Sequence, residues 1–247
     1  MKVVVIGGTG LIGAKLVGLL QQAGHAVVAA SPSRGIDAVS GQGLAHALAQ
    51  AEVVVDVANA PSFEDQAVLD FFRSATRNLL GEAAKAGVQH YVALSVVGTE
   101  RLLQGGYFRA KLVQEELIQA AGLPHTILRA TQFYEFLASI AAASMVEGVA
   151  RLSPAAFQPV AANDVSAALA DIVNGRQALG QIELGGPERR PMVDLVQQYL
   201  TAQGDPCPVV SDPAARYFGI ALNDASLVPE AGARLGPTRF ADWLRSH

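Results

Sequence analysis

The chain carries one cysteine, Cys207. No intrachain disulfide can form, and a reducing cytoplasm is the expected setting. Charged residues are scarce at 16%, the formal net charge is −4, and Lys and Arg form no run. Nucleic acid is therefore not expected as a partner. The five histidines (His25, His46, His90, His125, His247) are scattered without metal-ligand spacing, so no metal is expected. No uninterrupted apolar run is long enough to cross a membrane. The apolar start is broken by glycines and runs into an amphipathic pattern, with no small-residue cleavage site, so it does not read as a signal peptide. Internal repeats and low-complexity linkers are also missing.

What remains is 247 residues that are 51% hydrophobic. That supports a sizeable core in one domain, residues 1–247, with about 133–247 contributing a smaller substrate-binding region. The first half alternates strand-like and helix-like segments. Residues 2–6, 26–30, 36–39, 52–57, 91–95 and 126–129 read as strands. Helices are expected over about 11–22, up to 51, 64–86 (stopping at Gly87) and 107–121. Such alternation implies crossovers and a parallel sheet covered on both faces, a Rossmann-type doubly wound α/β fold. The second half is less regular: an apolar helical stretch over 133–145, short strands at 157–160 and 181–184, a helix from about 163, and helices at 194–202 and 240–244.

The most informative stretch is Lys2-Val3-Val4-Val5-Ile6-Gly7-Gly8-Thr9-Gly10-Leu11-Ile12-Gly13. A β-branched strand ends in glycines at Gly7, Gly10 and Gly13, and a helical pattern follows at once. Such a turn presents backbone N–H groups and a helix N-terminus to a phosphate. Gly7 turns without a Cβ clash, Gly10 clears space for a pyrophosphate, and Gly13 lets the helix pack on the strand. At the end of the second strand, Ser31-Pro32-Ser33-Arg34 has no acidic residue for a ribose 2′-hydroxyl. Ser31, Ser33 and Arg34 suit a 2′-phosphate instead, which favours NADP, as NADPH, over NAD. Asp37 is expected to begin the next strand.

Tyr107 and Lys111 stand four residues apart, on one face of an expected helix. An ammonium beside a phenol favours the phenolate and lowers its pKa. Tyr107 is thus a candidate proton donor to a carbonyl oxygen, with Lys111 also able to hold the nicotinamide ribose. Ser95, ending the preceding strand, is a candidate for hydrogen bonding the substrate carbonyl.

With these residues placed, the sequence resembles the atypical short-chain dehydrogenases/reductases of the NmrA-like, NAD(P)H-binding family, over about residues 1–190. Beyond the glycine motif the resemblance rests on Thr76-Arg77-Asn78-Leu79-Leu80 with Ala86-Gly87-Val88, Ala93-Leu94-Ser95-Val96-Val97-Gly98, Gly106-Tyr107 to Lys111, Thr126-Ile127-Leu128-Arg129 with Phe133, and Asn163-Asp164-Val165. It implies that Thr9, Gly10, Leu11 and Ile12 contact the pyrophosphate and that Asn59 lies beside the cofactor. It implies that Ala130 to Phe133 border the nicotinamide, with Phe133 facing substrate. It implies that Asp164 ties the C-terminal region to the core. Many members have lost the tyrosine; Tyr107 and Lys111 are retained here, which favours catalysis.

The expected activity is NADPH-dependent reduction of a small apolar carbonyl or quinone-like substrate. Phe133, Tyr134, Phe136, Phe157 and Tyr217 are the candidate pocket aromatics. Two alternatives stay open. One is an NADP(H)-sensing regulator without turnover. The other is a sugar-nucleotide epimerase or dehydratase with bound NAD, for which the longer Ser-to-Tyr spacing is absent. The two long helices leave a homodimer open.

Overall fold

The computed structural model describes residues 1–175 and 180–246. Strand β1 (Lys2–Ile6) leads through helix α1 (Leu11–Gln22) to β2 (Ala26–Ala30). A short helix α2 (Leu44–Leu48) precedes β3 (Val53–Asp56), and the long α3 (Asp65–Ala86) precedes β4 (His90–Val96). Helix α4 (Gly106–Ala120) then connects to β5 (His125–Ala130). After β5 come α5 (Leu137–Ala143), the short strands β6 (Met145–Val146), β7 (Val149–Leu152) and β8 (Ala156–Phe157), and α6 (Ala162–Val173). Strand β9 (Gly180–Gly185), β10 (Arg190–Pro191), α7 (Met192–Ala202), β11 (Val209–Ser211), β12 (Arg234–Leu235) and α8 (Phe240–Arg245) complete the described chain.

The main sheet has seven strands in the order β12-β9-β5-β4-β3-β1-β2, and every pairing in it is parallel. Because the strands are buried on both faces, successive side chains feed two cores. Val3, Val5, Val53, Val55, Val92 and Leu128 meet α1 and α6 on one side. Val4, Ile6, Val54, Tyr91, Ala93 and Ile127 meet α2, α3 and α4 on the other. The order reverses between β1 and β3, which places a crevice at their carboxyl ends. The expected doubly wound Rossmann-type fold is what the chain adopts.

The strand expected at 36–39 does not form. Asp37 accepts from the Val39 N–H and the Ser40 hydroxyl, and Gly41 N–H donates to the Asp37 carbonyl. Asn78 of α3 donates to the carbonyls of both Ala38 and Val39. A short polar side chain bonding its own backbone offers a turn in place of a ladder. As a result β2 is the sheet edge, and Asp37 serves this turn.

The expected helix over 133–145 is broken into a single 3-10 turn (Tyr134–Phe136) and α5, and Met145 begins β6. The strand expected at 157–160 shortens to β8, with Val160 bridging Phe133. A third hydrophobic cluster, built mostly after β5, includes Tyr134, Leu137, Phe157, Leu195, Phe240 and Trp243. Asp164 fastens this part to α6: the Thr238 N–H and hydroxyl both donate to its carboxylate, at 2.9 and 2.7 Å.

Candidate active site

The glycine turn joins β1 to α1. Gly7 has φ +79°, a left-handed conformation, and a Cβ there would lie 2.9 Å from the backbone of Ala58. A Cβ on Gly13 would sit 2.1 Å from the Gly7 carbonyl oxygen. Gly8 is equally confined against Ala29, a requirement the sequence pattern alone did not separate from the others. Gly10 differs: its φ is −80° and an added Cβ would meet only the Gly7 oxygen, at 3.4 Å. Neither backbone angle nor packing demands a glycine at position 10, so its bareness fits close approach by a ligand. Helix α1 has no side-chain cap. Its leading N–H groups, from Leu11 onward, have no intrahelical acceptor and point into the crevice with the positive end of the helix dipole. Thr9, Gly10 and Leu11 are exposed. These are the features a pyrophosphate requires.

Beyond β2, Ser31 is buried and its hydroxyl bonds that of Ser33 at 2.9 Å. Arg34 ends a 3-10 turn, is exposed, and among the described residues forms no ion pair. Asn59 is exposed just past β3, next to the Val57–Ala58 backbone that abuts Gly7.

Tyr107 lies in the first turn of α4, beyond the carboxyl end of β4. It is partly buried, with Phe63 at 5.6 Å and Phe72 at 5.9 Å between ring centroids. Burial pushes its phenol up to about 12. The expected lowering by Lys111 is absent, because the ammonium is turned away from the phenol. Lys111 Nζ donates to the Leu94 carbonyl at 2.8 Å and to Gln114 Oε1, and lies 4.4 Å from the Phe72 ring centre. Gln114 in turn donates to Asp56 at 2.9 Å, and Tyr91 donates to the same carboxylate oxygen at 3.1 Å. Burial lowers the Lys111 pKa to about 8 against the raising effect of Asp56 and Glu115. The same burial raises Asp56, opposed by Lys111. A charge pair taken from water shifts in this way.

Ser95 ends up in a second buried network. Its hydroxyl donates to Glu115 at 2.5 Å, and Glu115 also accepts from Arg129 Nε at 3.0 Å and from Nη2 at 2.6 Å. Arg129 further pairs with Glu100 at 2.7 Å. The Ser95 proton is thus spent inside the protein.

After β5, Phe133 stacks on the exposed Phe136 at 5.3 Å. Two buried polar atoms in this segment, Thr131 Oγ1 and Gln132 Oε1, have no hydrogen-bond partner among the described residues. Orphans of this kind cost free energy unless a ligand satisfies them. Of the other candidate aromatics, Tyr217 stands near enough to Tyr107 for the two phenols to interact electrostatically. Tyr134 and Phe157 do not line a cleft: they are 1% and 0% exposed and pack in the third cluster. The sequence reading missed Phe63 and Phe72, which flank Tyr107, and the partners Asp56, Gln114 and Glu115.

The sheet, the glycine turn and the uncapped α1 define a dinucleotide-binding protein of the Rossmann type. The model of the NAD(P)H-binding family matches residues 7–175, and the chain belongs to that family, as its resemblance to NmrA-like, atypical short-chain dehydrogenases/reductases implied. A search of curated proteins gives no significant match. Among solved structures it is similar to an NADPH-dependent quinone oxidoreductase from Escherichia coli complexed with NADPH (16% identity, 99% of each chain, TM-score 0.76). It is also similar to a dTDP-4-dehydrorhamnose reductase from Clostridium acetobutylicum (13% identity, 93% of this chain and 90% of that one, TM-score 0.73). A third is a UDP-glucose 4-epimerase from Thermotoga maritima with UDP-glucose (16% identity, 99% and 96%, TM-score 0.75). No helix among the described residues is long and apolar enough to cross a membrane.

Proposed function

We propose that the protein is an NADPH-dependent oxidoreductase that reduces a small apolar carbonyl or quinone-like substrate, with Tyr107 as proton donor. The observation that supports this most is the placement of Tyr107: an aromatic-flanked phenol in the first turn of α4, at the crevice beyond β4. A protonated phenol is an acid, and reduction of a carbonyl needs an acid at the developing oxyanion. The chemistry supplied when NADPH is bound is hydride transfer. Thr9 to Gly13 bind the pyrophosphate, Ser31 and Arg34 bind the 2′-phosphate, and Asn59 flanks the ribose side. Phe133 and Phe136 offer an apolar wall to the substrate, within the smaller region formed after about residue 133.

Lys111 contributes a fixed positive charge beneath the site, anchored by Leu94, Gln114 and Asp56. Ser95 acts through Glu115 and Arg129, holding the ends of β4 and β5 in register. The Escherichia coli similarity, to a protein described as an NADPH-dependent quinone oxidoreductase, points to the same class of acceptor.

The test is NADPH oxidation against a panel of quinones, aldehydes and enones, with NADH in parallel. Turnover with NADPH and little with NADH supports the proposal. Tight NADPH binding without turnover on any acceptor assigns the chain to the sensor reading. Tightly co-purifying NAD points to the epimerase reading.

A further inference from the structure

The C-terminal region reaches the start of α4 through one stretch of chain. Gly105 caps α4, two residues before Tyr107, with an ordinary φ of −89°. A Cβ there would lie 2.4 Å from Ile220 Cδ1, so Ile220, 4% exposed, is seated against the bare backbone of the cap. A Cβ on Gly98 would lie 2.7 Å from the Ser226 carbonyl oxygen, and Arg101 Nη2 donates to the Val228 carbonyl at 3.3 Å. The segment from Ile220 to Val228 is thus keyed into the β4–α4 loop that leads to Tyr107. Phe63, ahead of α3, sets its ring 5.6 Å from that of Tyr107 and is 66% exposed.

A tight turn opens that segment. Tyr217 and Ile220 exchange backbone hydrogen bonds at 2.9 and 3.0 Å. The two central residues, Phe218 and Gly219, have φ of +46° and +84°. Positive φ at both central positions is the mark of a type I′ turn, whose first position prefers asparagine, aspartate or glycine. A bulky side chain is strained there. Burial does not offset the strain: Phe218 is 58% exposed, and among the described residues its ring meets Tyr217 alone, edge-on at 4.8 Å. Apolar surface left in water adds to the cost. An asparagine would serve the turn better on both counts. A strained, uncovered ring at this place fits contact with a ligand that covers it.

We propose that the Tyr217–Ile220 turn is a wall of the substrate site at Tyr107, and that Phe218 is its specificity-determining residue, selecting planar aromatic carbonyl compounds, such as fused-ring quinones, over aliphatic ones. The ligand class follows from the ring: a planar substrate meets it face to face or edge-on, and the area both bury offsets the strain of the turn. Phe63 supplies a second exposed ring beside the same phenol. In the reaction the acceptor gains a hydride from NADPH and a proton from Tyr107, its carbonyl becoming an alcohol or phenol. NADPH is oxidised to NADP⁺, and Tyr107 regains its proton from solvent. That the bound compound is reduced rests on the proposed reductase function; that it binds against Phe218 does not.

The test pairs 9,10-phenanthrenequinone, a planar aromatic, with camphorquinone, an aliphatic diketone. Binding of phenanthrenequinone to the full chain is measured by equilibrium dialysis with NADP⁺, which has no hydride to give. NADPH-dependent reduction of both compounds is measured separately. Phe218→Asn should melt a few degrees above the parent, because asparagine suits the turn. It should nonetheless bind phenanthrenequinone about tenfold more weakly and lose about tenfold in kcat/KM, through KM, with kcat within about twofold. Camphorquinone kinetics should change by less than about twofold. Phe218→Tyr, which keeps the ring, should keep the parental affinity. Higher stability with weaker binding is a combination that a merely structural role for Phe218 does not give. No binding by the parent, unchanged binding in Phe218→Asn, equal losses for both acceptors, or a lower melting temperature in Phe218→Asn overturns the proposal. Ring-dependent binding with no reduction of any acceptor upholds the wall and sinks the reductase reading.

Discussion

The Ser95 hydroxyl donates to Glu115, 2.5 Å away, and the same carboxylate receives the Arg129 guanidinium. Ser95 cannot donate to a substrate while it holds this bond. Removing it with Ser95→Ala leaves a lone pair of a buried carboxylate unmet and costs about 1–3 kcal/mol of stability. The rate should fall by less than about tenfold if Ser95 acts only through Glu115. Denaturant titration alongside kcat distinguishes this from a direct catalytic role, which requires a rate loss far larger than the stability loss. Glu115→Gln takes the buried carboxylate from Arg129 and leaves it the ion pair with Glu100, so it should destabilise by about 1–3 kcal/mol.

Tyr107→Phe removes the proton donor and little else, since among the described residues this side chain packs against rings. A kcat lower by about 10²–10⁴ is expected, with NADPH affinity within about twofold of the parent. Retained turnover would show that another group supplies the proton.

The strands and the glycine turn were legible because their signals are local: β-branched runs, glycine spacing, and Gly87 in a left-handed conformation ending α3. The missing strand at 36–39 was not legible, because the competitor is partly remote: Asn78, on α3, takes up two carbonyls a ladder would have used. The spacing of Tyr107 and Lys111 put both on α4, but spacing says nothing of what lies beneath a helix. Asp56 and Gln114 draw the ammonium inward. Tyr134 and Phe157 are of the same residue types as cleft-lining aromatics, and only the packing of the third cluster, with Phe240 of α8 against Tyr134, consigns them to a core. One missed partner had a visible signal. Arg129 follows Ile127 and Leu128 in a strand expected to be buried on both faces, and a buried guanidinium demands a carboxylate.

The pH dependence of rate and stability should diverge. Lys111, with its pKa lowered to about 8, loses its charge as pH rises through that value, while Tyr107, raised to about 12, remains protonated. Activity should therefore decline above about pH 8, following Lys111. Asp56 raises the Lys111 pKa, so Asp56→Asn should move this decline to lower pH. Stability runs the other way between about pH 8 and 10. There the unfolded lysine still holds a proton that the folded one has released, so stability rises with pH. Above about pH 10 the buried tyrosines reverse this. Their folded pKa values exceed the unfolded one, and stability falls as the unfolded phenols ionise. Denaturant titrations at pH 7, 9 and 11, paired with kcat/KM profiles, check both signs.

Arg34→Ala should weaken NADPH binding by about tenfold to a hundredfold and leave NADH almost unchanged, because a charge-assisted contact to a 2′-phosphate has no counterpart in NADH. The guanidinium forms no ion pair among the described residues, so its loss should not disturb folding. Equal loss for both nucleotides would move the phosphate-reading role elsewhere.

The two glycines three residues apart at the start of α1 separate a packing requirement from a binding one. An alanine at position 13 places its Cβ 2.1 Å from the Gly7 oxygen, an overlap only backbone movement can relieve. Gly13→Ala should cost several kcal/mol, on the order of the larger overpacking penalties, and lose cofactor binding as the turn is displaced. An alanine at position 10 meets nothing closer than 3.4 Å and keeps an ordinary φ. Gly10→Ala should therefore melt within about 2 °C of the parent, a shift of only a few tenths of a kcal/mol. It should nonetheless bind NADPH at least about tenfold more weakly, the cost of one methyl group crowding the phosphate. Thermal melts and NADPH titrations on the two variants check this directly. A Gly10→Ala variant with parental NADPH affinity would mean that the pyrophosphate does not approach the backbone at this turn, and the cofactor site would have to be placed elsewhere along the crevice.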